Sequence, residues 1–167
     1  MKKLYLIRHA KSSWDNPNGN DFDRPLNERG KREAPQMAKL LKQRKVLPDR
    51  LITSPALRAW TTCEIFANVL NVDQHKIEKT EKLYHASPDT WLSILRGLKE
   101  HPADKEDVVL MFGHNPGITE FANELLSVTI DNIPTCGIVS ATLKIKTWKE
   151  IGLGSGTMDA FDYPKIL

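Results

Sequence analysis

The run Val108-Val109-Leu110-Met111-Phe112 is the most apolar in the chain, and it leads directly into Gly113-His114-Asn115-Pro116. A short, unbroken apolar run that stops at turn residues predicts a strand covered on both faces, as in a parallel sheet. Leu4-Tyr5-Leu6-Ile7, which runs into Arg8-His9, has the same form, and so does Arg50-Leu51-Ile52-Thr53, which stops at Ser54-Pro55. Helical patterns lie between and after these runs. Leu26 to about Lys45 sets Ala34, Met37, Ala38, Leu40 and Leu41 at helical spacing, with Asn27 as its cap. Pro35 interrupts that pattern and marks either a kink or the true first turn. Three further helices are each announced by a cap followed by proline: Ser54-Pro55 to about Leu70, Ser87-Pro88 to about Lys99, and Asn115-Pro116 to about Leu126. Lys76 to Tyr84 has room for a short strand.

The chain then changes character. Gly137 to Ile145 alternates and is rich in β-branched residues, and Trp148 to Leu153 is the expected hairpin partner. Gly154 to Leu167 reads as irregular. Strand and helix alternate along most of the sequence. The expected fold is therefore α/β: a three-layer α/β/α sandwich whose mostly parallel sheet carries one or two antiparallel edge strands near the C-terminus. A chain of 167 residues, 40% of them apolar, suits one domain spanning 1–167.

Composition excludes several function classes. The net charge of +3 is small. Lys42, Arg44 and Lys45 stand among Glu28, Glu33, Asp49 and Glu64 and make no basic stripe, so no nucleic-acid partner is expected. Met1-Lys2-Lys3 resembles the start of a secretion signal, but Arg8 and His9 break the apolar stretch far short of the ~7–15 residues such a signal needs, or the ~20 of a membrane span. Cys63 and Cys136 have no CxxC partner and suggest neither a zinc site nor a disulfide framework. A cytoplasmic, non-membrane protein is expected.

Open α/β sheets bind ligands beyond the carboxyl ends of their strands. Three segments fall there: Arg8-His9, Ser54 to Arg58, and His114-Asn115. A polar segment from Lys11 to Arg24, with Asn16-Pro17 and Asn18-Gly19 turn signals, follows the first. Two arginines and two histidines at one sheet edge suit a phosphoryl group. Guanidinium forks match phosphate oxygens, and an imidazole with one free nitrogen is a competent nucleophile. Arg58 falls in the first turn of its helix, where a cation is electrostatically misplaced unless an anion joins it. Its removal is therefore expected to leave stability nearly unchanged or raised. No Walker-type loop, GxSxG, HExxH or GxGxxG is present.

Several blocks together resemble the histidine phosphatase superfamily. Leu4 to Ala10 is similar to its signature, with Ala10 where the family usually has glycine. Arg8-His9-Ala10-Lys11-Ser12-Ser13-Trp14, Asp23-Arg24-Pro25-Leu26 with Gly30, Ser54-Pro55 with Arg58-Ala59 and Thr61-Thr62, and Gly113-His114-Asn115-Pro116 resemble its short branch, the SixA type. The resemblance implies that His9 is the nucleophile and forms a phosphohistidine intermediate. It implies that Arg8 and Arg58 bind phosphoryl oxygens and that His114 binds phosphate and stabilises the transition state. Arg24 would stand near the pocket mouth. Longer members carry an acid after the arginine helix, and Glu81 is the candidate in that region. Short members lack the insert that covers the pocket, which implies an open site. The expectation is a cofactor-free, metal-free phosphatase, monomeric, whose partner is a phosphorylated protein or a small phosphorylated compound. Phosphohistidine is the preferred substrate. Small-molecule phosphomonoester hydrolysis, a non-catalytic phosphate-binding module and a metal hydrolase using His9 and His114 are the alternatives.

Overall fold

The computed structural model describes residues 1–15, 19–101 and 106–164. The Asn16-Pro17-Asn18 turn and most of the polar linker 101–107 lie outside them. Six strands, β1 (Lys2–Arg8), β2 (Arg50–Thr53), β3 (Ile77–Lys79), β4 (Asp107–Gly113), β5 (Ile138–Leu143) and β6 (Gly156–Asp162), make one sheet of order β3-β2-β4-β1-β5-β6. The β2–β3, β2–β4 and β1–β4 pairs are parallel, whereas β5 is antiparallel to both β1 and β6. This is the α/β/α sandwich with antiparallel edge strands that the sequence predicted.

The apolar strand runs follow from burial on both faces. In β4, Val109 and Met111 enter one core with Trp91 and Leu95 of α3 (Pro88–Arg96) and Phe121 of α4 (Gly117–Leu126). Leu110 and Phe112 enter the other, with Met37 and Leu41 of α1 (Glu28–Gln43) and Cys63 and Phe66 of α2 (Leu57–Val69). Neither face of such a strand meets water, so neither can be polar. No helix among the described residues is long and apolar enough to cross a membrane.

Four local readings need correction. The tail is not irregular, since Gly156–Asp162 is β6 and pairs along β5. The expected hairpin partner, Trp148 to Leu153, instead opens with a 3-10 turn at Trp148–Glu150. Ser54 does not cap α2, whose first residue is Leu57 and whose N-cap position is Ala56. Asn115 does not cap α4. Its side chain bonds Asn132, the Ile133 carbonyl and Thr119, and the peptide to Pro116 is cis. The Ser54 hydroxyl meets His114, and the Asn115 oxygen accepts from the Thr119 hydroxyl, so neither accepts from an amide of its helix's first turn. Asn27 does cap α1, accepting from the Gly30 amide at 2.9 Å. Pro35 lies inside α1 and not in its first turn, at the cost of one backbone hydrogen bond.

The sheet's carboxyl edge is held in register past the strand ends. The His9 amide donates to the Gly113 carbonyl at 3.1 Å, and the Ser54 amide to the Phe112 carbonyl at 3.1 Å. His9, Ser54 and His114 thereby stand side by side on three adjacent strands.

Candidate active site

A cavity of about 210 Å³ opens at this edge, lined by Arg8, His9, Lys11, Ser12, Trp14, Arg24, Arg58, His114, Asn115 and Thr135. A larger hollow of about 390 Å³, lined by Lys3, Tyr5, Arg44 and Glu106 among others, lies at the amino ends of β1 and β4 and contains no histidine.

His9 follows β1 directly and is 7% exposed. Its Nδ1 lies 2.8 Å from the Ala10 carbonyl oxygen. A carbonyl only accepts, so Nδ1 carries the proton and Nε2 keeps its lone pair. Burial, with His114, Arg58 and Arg8 adding to it, pushes the His9 pKa well below its ordinary value. The ring is therefore neutral near pH 7, the state a nucleophile needs.

The second ring, His114, lies with its centroid 5.2 Å from that of His9. Its Nε2 is 2.8 Å from the buried Ser54 hydroxyl. Burial first, and Arg58 second, lower its pKa to about 3. Ser54 therefore orients the ring rather than capping a helix.

The arginines close the cavity on either side. Arg8 is anchored through Nη1 to the Ile133 carbonyl at 2.9 Å, and burial plus nearby Arg58 lower its pKa. Arg58, 5% exposed, enters from the first turn of α2. The anion that its position demands is supplied by the chain. Arg58 donates to the Asp21 backbone oxygen at 2.7 Å and to the Asp21 carboxylate at 3.0 Å.

Asp21 was not singled out in the sequence. Its carboxylate also accepts from Arg24 at 3.1 Å and from the Tyr84 hydroxyl at 2.7 Å. Partial burial acts to raise its pKa, but the bonds from Tyr84, Arg24 and Arg58 outweigh it and hold the carboxyl well below the usual range. The one sequence clue was its i,i+3 spacing to Arg24 within a polar loop.

Arg24 does reach the cavity. It donates to the Ser12 hydroxyl at 2.6 Å and the Ser13 carbonyl at 3.1 Å, and its guanidinium lies 3.5 Å from the Trp14 ring centroid. Lys11 and Ser12 are held by α1. The Asn27 amide donates to the Lys11 carbonyl at 3.0 Å, and a Cβ on Gly30 would collide with that same oxygen. Glu81 is not brought in. It stands exposed on the 3-10 turn Glu81–Leu83 and is not among the residues lining the cavity. No three His, Cys, Asp or Glu side chains among the described residues cluster as metal ligands.

Residues 4–92 match the model of the Histidine phosphatase superfamily (branch 1). The solved structure of the protein histidine phosphatase SixA complexed with tungstate superposes with a TM-score of 0.80 at 27% identity, covering 95% of each chain. A candidate phosphohistidine phosphatase SixA from Agrobacterium tumefaciens gives 0.80 at 27% identity, covering 97% of each. An uncharacterised protein of Mycobacterium leprae is 29% identical, over 95% of this chain and 100% of its own length. Phosphoglycerate mutase 1 of Saccharomyces cerevisiae is 34% identical over 54% of this chain, but that stretch is 34% of the mutase.

Proposed function

Because the chain belongs to the histidine phosphatase superfamily and is a SixA-like hydrolase of it, we propose that it removes phosphoryl groups from histidine on other proteins through a covalent intermediate on His9. In this reading His9 Nε2 attacks phosphorus while the Ala10 carbonyl holds the ring by its Nδ1 proton. Arg8, Arg58 and His114 surround the equatorial oxygens, where charge spreads as the bond to the leaving group lengthens. Arg24 and Lys11 add positive charge at the mouth. The leaving nitrogen keeps the bonding pair and takes a proton from solvent. Water then attacks the phosphorus on His9, inorganic phosphate departs, and His9 returns to its starting state.

One observation carries the choice of substrate: among the described residues, none that lines the cavity is a carboxylic acid. An alkyl phosphate leaves as an alkoxide unless an acid protonates it, and a positioned acid is worth ~10²–10⁴-fold. An imidazole is a far better leaving group. Transfer from one imidazole to another also exchanges like bonds. The alternative, a small-molecule phosphomonoesterase, is favoured by the mutases among the relatives and would need an acid from elsewhere, for which Glu81 is the sequence candidate.

The deciding experiment measures kcat/KM for phosphohistidine and for an alkyl phosphate, on the wild type and on Glu81→Gln. The reading expects phosphohistidine to be preferred and Glu81→Gln to leave its hydrolysis unchanged. An alkyl phosphate preferred by orders of magnitude would overturn the substrate while leaving the His9 chemistry in place. A large, equal loss on both substrates would make Glu81 a shared catalytic group.

A further inference from the structure

Seven large apolar side chains are exposed among the described residues: Met1, Trp14, Phe22, Leu47, Leu57, Leu153 and Met158. Their distribution is uneven. Met1, Leu47 and Leu153 precede β1, β2 and β6, whose first residues lie at the end of the sheet away from the cavity. Met158 sits on the edge strand opposite Ala141. Of the other three, Trp14 (77% exposed) lines the cavity, Leu57 (37%) adjoins the cavity residue Arg58 in the chain, and Phe22 (38%) adjoins Asp21, which bonds Arg58 and Arg24.

They are tied to the cavity's own residues. Trp14 lines the cavity and has the Arg24 guanidinium on one side of its ring. Phe22 follows Asp21, the carboxylate that bonds Arg58 and Arg24, and packs edge-on against Tyr84 with centroids 5.2 Å apart. Leu57 precedes Arg58, and its amide donates to the Phe22 carbonyl at 2.9 Å. An apolar crescent therefore adjoins a cationic well, Phe22 and Leu57 joined to it through their chain neighbours Asp21 and Arg58 and Trp14 through its contact with Arg24.

We propose that this crescent, Trp14, Phe22 and Leu57, is the docking surface for a folded protein that presents a phosphorylated histidine to the cavity. The inference rests on the phosphohistidine reading above and adds to it where the partner is held. Size supports it. At about 210 Å³ the cavity is smaller than the ~300–1,000 Å³ that usually enclose a small ligand, so most of a substrate lies outside on the rim. Chemistry supports it as well. Sugar or carboxylate moieties of small phosphorylated metabolites gain little from indole, phenyl and leucyl surface. Protein interfaces are built around aromatic and arginine anchors, which is what the rim offers. The charge arrangement agrees, with an anion-binding well beside an apolar contact.

The test uses two substrates carrying the same bond: free histidine, and a folded protein with one surface histidine, each phosphorylated chemically with phosphoramidate. The double variant Phe22→Ser, Leu57→Ser alters the crescent without touching a residue that lines the cavity. Its kcat/KM on the phosphorylated protein should fall at least about tenfold through KM, the effect of losing one strong interface anchor. Its kcat/KM on phosphorylated free histidine should match the wild type. Equal values on both substrates, or equal losses on both, would overturn the docking surface. A wild type that hydrolyses neither substrate, yet turns over alkyl phosphates, would overturn the phosphohistidine reading instead. A second measurement needs no change to the rim. In His9→Ala, adding the phosphorylated protein should shield Trp14 from iodide quenching, and unchanged quenching would count against the surface.

Discussion

Replacing Arg58 by alanine separates catalysis from folding, and the structure sets both magnitudes. Arg58 makes two hydrogen bonds to Asp21, one to its backbone oxygen and one to its carboxylate. Bonds to charged groups are worth about 1.5–3 kcal/mol when buried. The Asp21 side chain, however, is 40% exposed and keeps Arg24 and Tyr84 as partners, so solvent screening brings the loss to about 1–2 kcal/mol. Two effects oppose it. Arg58 no longer repels Arg8, and a cation leaves the N-terminus of α2, the latter worth about 0.3–1 kcal/mol. The net expectation is a loss of about 1 kcal/mol, or a Tm lower by about 2–4 °C for a chain of this size. This revises the sequence expectation of unchanged or raised stability, because the missing anion turned out to be Asp21. Turnover should fall by about 10²–10³-fold, the scale of losing one preorganised charge-stabilising donor. Thermal melts and kcat at saturating phosphohistidine, normalised to folded protein, measure both. A variant that melts more than about 10 °C lower yet turns over normally when folded would refute the placement of Arg58 at the phosphoryl group.

The two buried histidines predict how stability depends on pH. Both have folded pKa values below their unfolded ones, His114 at about 3. Between about pH 6.5 and 4 the unfolded chain thus binds protons that the folded chain does not, and stability falls as pH falls. Urea unfolding should show a loss of about 1 kcal/mol from His114 between pH 6 and pH 5, with His9 adding to it in the same direction, and His114→Gln should make the slope shallower. Asp21 contributes in the same sense but lower on the pH scale, its stability present above the ordinary carboxylate range and lost as pH falls below it, so the histidine window is left to the histidines. The acid limb of kcat/KM should accordingly lie well below pH 6.5, where His9 is still neutral. Gly30→Ala should cost about 1–3 kcal/mol, since its Cβ meets the Lys11 carbonyl. It should also lower activity by displacing Lys11 and Ser12, whereas an alanine that melted like the wild type would show that segment to be free to move.

What could be read in the sequence was what local pattern decides. Val108 to Phe112 announced β4 because both of its faces are buried, and Leu4 to Arg8 announced β1 for the same reason. These runs also fixed where the site lies, because Arg8-His9, Arg58 and His114 come directly after strands or in the first turn beyond one. The strand β6 was not legible. It is a half-exposed edge strand carrying Asp159 and Asp162, and its state comes from pairing with β5 rather than from its own composition. Ser54 and Asn115 read as caps because a cap is a local prediction, while the Ser54 hydroxyl meets His114 and the Asn115 side chain is divided between Thr119 and the 132–133 segment. Asp21 was invisible for a related reason. Its partners Arg58 and Tyr84 are 37 and 63 residues away, and only the folded chain brings them together.

The central claim is that the phosphoryl group passes through His9. It is tested most directly by mixing the wild type with radiolabelled phosphohistidine, quenching within a turnover, and mapping the label. The account predicts an acid-labile, base-stable phosphate on the peptide that contains His9, and neither label nor turnover in His9→Ala. Normal steady-state turnover in His9→Ala, or a label that maps to another residue, would contradict it.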